Sequence, residues 1–182
     1  MALSLPANFA NDIQGRDTAL IPIVVIGKDP GQAPFGPYIV VSTNQWTNGI
    51  WTAEPRLLNI PSLKESIDIE KRNYQISNVT LDISNYEYNG KRFSELVAEH
   101  PVITNSLINE ECRIYWVSPT ANGIILSSQI VDNYLPPDAA FQIYFGTIRR
   151  YTHDDEKVRL VVEDRSQATL HKDLPLSDNY LT

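Results

Sequence analysis

Three consecutive residues, His153, Asp154 and Asp155, are of types that could bind a metal ion. They stand in a polar break between two strand-like runs, where adjacent side chains point in different directions and aspartate is a common turn former. We therefore interpret this segment as a solvated turn. The sequence predicts no metal site and no bound cofactor.

Carboxylates in two other alternating runs could also do chemistry. Asp68 and Glu70 share one face of the run 66–70, and Asp82 could lie on a neighbouring strand. Two carboxylates that face a cleft can hydrolyse glycosidic bonds, so a small hydrolase using Asp68 and Asp82 is one hypothesis. The polar outer face of a strand is the simpler interpretation. The sequence has no Gly-x-Ser-x-Gly elbow and no Gly-x-x-x-x-Gly-Lys loop, and we predict that the protein is not an enzyme.

The single cysteine, Cys112, lies in a strand-like run and has no second cysteine to pair with. A disulfide framework and a cysteine-based zinc site are thereby excluded, and a buried structural thiol is expected. The first residues show neither the basic region nor the apolar run of a signal peptide. The apolar stretch 19–26 contains Pro22 and is too short to cross a bilayer. We expect a soluble protein of a reducing compartment, without membrane contact.

Length and composition favour one globular domain over residues 1–182. Hydrophobic residues make up 42% of the chain and charged residues 20%, which argues against wholesale disorder. The net charge of −7 would repel a phosphate backbone. Direct binding to nucleic acid is therefore not expected.

The clearest structural signal is the pair of runs 141–151 and 157–164, which flank the polar turn and predict a β-hairpin. The second run alternates, with Val158, Leu160 and Val162 on one face. This row is expected to pack against a facing sheet.

Shorter alternating or β-branched runs predict several more strands, and periodicity predicts short helices. Further strands are predicted at 20–26, 38–43, 66–70, 79–83, 111–118 and 123–130, and helices at 7–18, at 92–100 and after Asp164. The runs 66–70 and 79–83 are close enough to form an antiparallel pair. Many strands without long helices between them favour a mainly β fold, an antiparallel barrel or sandwich with one or two short helices.

Aromatic residues near long loops are the candidates for contacts between proteins. Loops 28–37 and 133–137 are too long for simple turns, and tyrosine and tryptophan are enriched in interfaces. The interface residues predicted on this basis are Phe35, Tyr38, Trp46, Trp51 and Tyr134. The two tryptophans flank an Asn-Gly turn typical of a tight hairpin. They could instead form a packed corner or a sugar-stacking platform, and the alternative function is a carbohydrate-binding β-sandwich module.

An ordered set of motifs resembles the amino-terminal part of tail and baseplate structural proteins of tailed bacteriophages. The motifs are Pro61-Ser-Leu-Lys-Glu-Ser-Ile-Asp-Ile-Glu70, Ile76-Ser-Asn-Val-Thr-Leu-Asp-Ile-Ser-Asn85, Gly90-Lys-Arg-Phe-Ser94, Ile114-Tyr-Trp116, Phe145-Gly-Thr-Ile148 and Val158-Arg-Leu-Val-Val-Glu-Asp164. The likeness spans roughly residues 20–176, and it is carried by the order of the motifs more than by any one of them.

The resemblance implies a β-rich, hub-like structural protein of a virion tail, made in the host cytoplasm. Its implied partners are other phage tail proteins and copies of itself, arranged in a ring or hub. It carries no catalytic residues over to this chain. Members of that group look longer than 182 residues, so the resemblance implies that the natural chain extends past Thr182.

Overall fold

The computed structural model describes residues 7–15, 19–27, 38–47, 52–59, 65–68, 73–76, 78–100, 103, 106–118 and 141–164. This part of the chain contains two short helices and ten strands. In chain order they are α1 Ala7–Asp12, β1 Ile21–Ile26, β2 Ile39–Ser42, β3 Trp46–Thr47, β4 Thr52–Ala53, β5 Glu65–Asp68, β6 Asn73–Ile76, β7 Val79–Ser84, α2 Phe93–Ala98, β8 Glu111–Val117, β9 Phe141–His153 and β10 Lys157–Asp164.

Six of the strands form one antiparallel sheet in the order β2-β1-β8-β9-β10-β7. The sheet curls into a half-barrel, and the predicted mainly β class is confirmed. The predicted hairpin is its longest unit, with β9 and β10 joined by the turn at 154–156.

Both edges of this sheet are hydrogen-bonded to one stretch of chain, Glu54–Leu58, which we name the closing segment. At the β2 edge, the Glu54 N–H donates to the Val40 carbonyl at 3.0 Å. At the β7 edge, the Ser84 N–H donates to the Arg56 carbonyl at 2.7 Å. The half-barrel is therefore bridged from edge to edge, so that unpaired backbone groups at both edges find partners within the chain.

The concave side of the sheet holds the main hydrophobic core. It takes buried side chains from β1, β2, β7, β8, β9, β10 and α2, together with Leu57, Ile103 and Leu107. Val158, Leu160 and Val162 are each 0% exposed, which confirms the predicted inward row of β10. Cys112 lies in the same core, as the sequence predicted.

A second cluster lies on the convex side, over the β2-β1-β8 half of the sheet. We name it the outer cluster, and its members are Ile23, Val25, Val40, Ala53, Tyr115 and Val117. Because β1 and β2 are buried on both faces, they read as continuous apolar runs instead of alternating ones. Ala53 brings the β3–β4 hairpin onto this cluster.

The strand predictions are confirmed at most positions. β1 pairs with β2, and β3 pairs with β4, while the Asn-Gly turn predicted between β3 and β4 lies outside the described residues. Pro22 stands at the start of β1, opposite Trp116 and beyond the residues that pair with β2. The strand predicted at 123–130 and the helix after Asp164 lie outside the described residues, and Asp164 itself ends β10.

One predicted pairing is wrong. The run 66–70 does not pair with 79–83: β5 pairs with β6 in a separate two-stranded ribbon, while β7 pairs with β10. The supposed linker after residue 70 itself contains strand-forming residues, which allow a tighter local hairpin. β7 is then free to pair with β10, and the alternate apolar side chains of both strands lie on the same side of the sheet.

Gly146 in β9 is a position where no side chain fits. A methyl group there would overlap the Glu163 carbonyl oxygen and lie 2.8 Å from Cγ1 of Val162 and 2.9 Å from Cε1 of Tyr144. The Tyr144 ring occupies the space beside this glycine, and its hydroxyl donates to the Val162 carbonyl at 3.1 Å.

Gly146→Ala is therefore expected to lower the free energy of unfolding by about 1 to 3 kcal/mol, because β10 must shift away from β9 to admit the methyl group. Urea unfolding would measure the change. Thr147→Ala, at the next residue of the same strand, is the control and should cost less. Equal stability of Gly146→Ala and the wild-type protein would contradict the close approach.

Candidate assembly surfaces

Tyr38 and Trp46 are the two predicted interface residues that fall within the described part of the chain. Both are half-buried and pack against the outer cluster, so the structure brings them together at one site. Phe35, Trp51 and Tyr134 lie outside the described residues. Tyr38 and Trp46 thus lie at the partly exposed margin of the outer cluster.

A buried arginine organises one rim of the half-barrel. Arg56 in the closing segment is 1% exposed and forms an ion pair with Glu54. Its guanidinium donates to three backbone carbonyls, those of Tyr86 at 2.9 Å, Tyr88 at 3.0 Å and Lys91 at 2.8 Å. It also lies over the Tyr88 ring, 5.5 Å from the centroid.

These contacts fix the shape of the loop between β7 and α2. The loop turns at Asn89 and Gly90, whose φ angles of 54° and 78° suit an Asn-Gly pair. The loop displays Tyr86, which is 63% exposed, beside the closing segment, where Leu58 is 57% exposed. The rim therefore exposes apolar side chains on a loop whose backbone is fixed by hydrogen bonds from buried Arg56.

Asn85 connects this loop to the hairpin turn and to α2. Its side-chain amide donates to the Asp154 carbonyl at 2.7 Å, and its side-chain oxygen accepts from the Ser94 N–H at 3.0 Å. The Asn85 N–H donates to the Glu156 carbonyl at 2.9 Å. One buried amide thus fixes the start of α2 against the tip of the β9–β10 hairpin.

Asp154 and Asp155 lie in the exposed turn that the sequence predicted, and His153 is the exposed last residue of β9. Oδ1 of Asp154 accepts from the N–H groups of Glu156 at 2.9 Å and Lys157 at 2.7 Å, and these bonds hold the pKa of Asp154 below its usual range. Within the described residues, no three histidine, cysteine or acidic side chains gather as metal ligands.

Of the three candidate carboxylates, Asp82 is the one whose side chain is described. It lies on the convex side of β7 and binds Arg159 of β10 through two bonds, Nε–Oδ1 at 2.7 Å and Nη2–Oδ2 at 3.1 Å. Asp68 lies in β5, opposite Asn73 of β6, and Glu70 is outside the described residues. The polar outer face that we preferred for Asp82 is therefore confirmed.

The Arg159 guanidinium lowers the pKa of Asp82. A carboxylate whose pKa is lower in the folded chain than in the unfolded chain stabilises the folded state. The full contribution is present at a pH above the unfolded pKa, about 3.9, and it is lost as the pH falls through the folded pKa. We expect the stability difference between the wild-type protein and Asp82→Asn to shrink as the pH falls below about 4. Urea unfolding at a series of pH values measures it. Asp155→Asn, with a side chain 98% exposed, is the matched control and should show a flatter difference.

The convex side of the other half of the sheet, over β9, β10 and β7, carries mostly polar side chains, and the three arginines on it are exposed. Its charged residues are Arg149, Arg150, Lys157, Arg159, Asp82 and Glu163, and we name this surface the basic face. The sequence does not predict this face, because strict alternation along β9 would place Arg149 and Arg150 on opposite sides of the sheet.

The thiol of Cys112 is buried, and its burial raises its pKa to about 12. A thiol with so high a pKa has almost no thiolate at neutral pH, and the thiolate is the reactive form. The expectation of a structural thiol is in keeping with this site. No helix of the described chain has the length and apolar character needed to span a membrane.

Comparison with solved structures finds a similar fold in a virion. The chain is similar to a chain of the virion of a native gene transfer agent (GTA) particle, with a TM-score of 0.53 and 10% sequence identity. The alignment covers 92% of this chain and 47% of that chain, so this chain spans about half the length of the virion chain. At this identity the likeness shows the fold. No protein-family model and no curated protein sequence matches the chain.

Proposed function

We propose that this chain is a non-catalytic structural component of a phage-type virion, located in the tail or baseplate in a hub-like position. The observation that carries the proposal is the fold shared, over 92% of the chain, with a chain of a GTA virion. The ordered motifs that resemble tail and baseplate proteins support it independently, because they rest on the amino-acid sequence and not on the fold. Other tail proteins and copies of this chain are the proposed partners.

The physical form of the chain suits such a role. The closing segment bridges the half-barrel, and Arg56 and Asn85 fix the loops at its rim through buried hydrogen bonds. Loops that are fixed before binding lose less conformational entropy when a neighbour is added. The structure thus supplies a rigid unit with shaped surfaces, which is what repeated assembly requires.

Analysis of purified particles tests the proposal. We expect peptides of this chain to co-purify with intact particles in a fixed ratio to other tail proteins, and deletion of its gene to give tail-less or incomplete particles that a plasmid copy restores. Electron microscopy of the deletion particles would show which part of the tail is missing. Particles that are complete and infective without this chain would overturn the proposal.

The predicted interface residues give a second, residue-level expectation. Hydroxyl-radical labelling of Phe35, Tyr38, Trp46, Trp51 and Tyr134 is expected to fall in the assembled tail relative to the isolated chain, because interface aromatic residues become desolvated. Ile13, which follows α1 and is 42% exposed, serves as a comparison within the same sample. Unchanged labelling of Phe35 and Tyr134 in the complete tail would remove loops 28–37 and 133–137 from the interface.

The carbohydrate-binding alternative makes a different prediction. A glycan array would show binding that is lost in both Trp46→Ala and Trp51→Ala, since sugars stack on exposed aromatic rings. The structure places the Trp46 ring against the outer cluster, where it is half-buried. We therefore retain the virion component as the proposed function.

A further inference from the structure

A β-bulge places two consecutive arginines on the same side of the sheet. The register between β9 and β10 shifts so that Val161 is opposite Arg150 while Val162 is opposite Ile148, which leaves Arg149 as the extra residue. Ile148 faces the core, and Tyr151 packs against it. The two core-facing residues of β9 are thus three apart in this region, and both arginines lie between them.

Contacts confirm that Arg149 lies on the convex side. Its Nε pairs with the Glu163 carboxylate at 3.0 Å, and its Nη1 donates to Oδ1 of Asn109 at 3.0 Å. Glu163 shares the convex face of β10 with Val161, the residue opposite Arg150. Within the described residues Arg150 forms no ion pair, and it is exposed.

The basic face is locally positive on an acidic chain. Arg159 is neutralised by Asp82, and Arg149 by Glu163. Among the described residues of this face, the four cations outnumber the two carboxylates by two, although the net charge of the whole chain is −7. The rest of the chain is therefore more acidic than the total, and a positive surface will attract an acidic surface of another copy.

The tip of the same hairpin offers a matching acidic group. The Asp154 side chain is used in the turn, whereas the Asp155 side chain is 98% exposed and, among the residues that the structure describes, pairs with exposed Arg92 alone, at 3.3 Å. Exposed ion pairs of this kind contribute little to stability, so Asp155 can leave Arg92 for a different cation at low cost. Arg150 precedes the turn residue Asp154 by four positions, which is about 13 Å at the usual rise of a strand. The acidic side chains of the turn are therefore too far away to form an ion pair with Arg150 of the same chain.

We propose that the basic face of one copy binds the acidic turn of a second copy, with Arg150 and Asp155 as the principal charge pair. The inference rests on the proposed function, since it assigns a contact between copies in the virion. The two surfaces differ, so the contact is head-to-tail. Contacts of this type build rings when the rotation between copies closes.

Sedimentation of the purified chain tests this contact. We expect self-association at about 0.05 M salt that weakens strongly at about 0.5 M salt, because exposed charges are screened. Arg150→Glu and Asp155→Lys should each weaken association at least tenfold. The double variant, which exchanges the two charges, should recover to within about threefold of the wild-type protein.

Lys91→Glu is the matched control for the charge change, because Lys91 is exposed and lies beside α2, away from this face. Thermal unfolding of each variant checks that all are folded. A wild-type chain that stays monomeric at low salt overturns the proposal, as does a failure of either single variant to weaken association, or of the double variant to recover it. Salt-sensitive binding of duplex DNA that Arg150→Glu abolishes, without self-association, would also overturn it.

Failure here is distinguishable from failure of the proposed function. Particle composition is measured by co-purification, which does not depend on Arg150. If the chain co-purifies with tails while the charge exchange has no effect, the virion assignment stands and the head-to-tail contact is wrong.

Discussion

Arg56→Met is expected to lower the free energy of unfolding by about 3 to 5 kcal/mol, the usual cost of removing one partner from a buried ion pair. Methionine preserves much of the side-chain volume but none of the five guanidinium donors. The carbonyls of Tyr86, Tyr88 and Lys91 lose a charged donor together, and Glu54 loses its counter-ion. Chemical denaturation followed by tryptophan fluorescence measures the change.

Arg149→Met is the matched control for this experiment. Arg149 also makes an ion pair and a second hydrogen bond, but its side chain is 50% exposed. Its replacement should cost at most about 1 kcal/mol, because water replaces the lost contacts. Similar losses in the two variants would show that the Arg56 guanidinium is not the buried centre of the rim.

Leu160→Ala should lower the free energy of unfolding by about 2 to 5 kcal/mol, because it leaves a cavity in the main core. Leu160 is 0% exposed, pairs with Leu81 of β7 on one side and Tyr151 of β9 on the other, and belongs to the row that fills the concave side. The melting temperature and the urea midpoint should both fall.

Val161→Ala, one residue further along β10, is the control for Leu160→Ala. Val161 is half-buried and lies on the basic face, so its truncation opens no core cavity. An unchanged melting temperature in Leu160→Ala would refute the assignment of this row to the core.

The inward row of β10 and the apolar run of β1 were predictable because the pattern that identifies them is local. Val158, Leu160 and Val162 alternate in sequence as they do in the sheet, and the burial of Cys112 follows from its residue type. Such features depend on near neighbours, and near neighbours are visible in the sequence.

Arg56 and the basic face were not predictable in this way. Arginine is rarely buried unless it is paired, and the carbonyls that pair with Arg56 are 30 to 35 residues away in the chain. The bulge at Arg149 depends on the register between two strands, which one strand does not encode. The wrong pairing of 66–70 with 79–83 has a similar cause. Which strands pair depends on residues that are far apart in the chain, and the alternating pattern of a single strand does not identify its partner.

The strand order has a consequence for how the chain is made. Translation yields β1, β2, the closing segment, β7 and β8 before the β9–β10 hairpin, and the hairpin fills the gap between β8 and β7. A nascent chain that ends before Phe141 is an open sheet with two bare edges and an uncovered apolar lining, features that promote aggregation. Until the hairpin leaves the ribosome, the chain lacks the two strands that complete the sheet, so the full fold should form only after residue 164 has been synthesised.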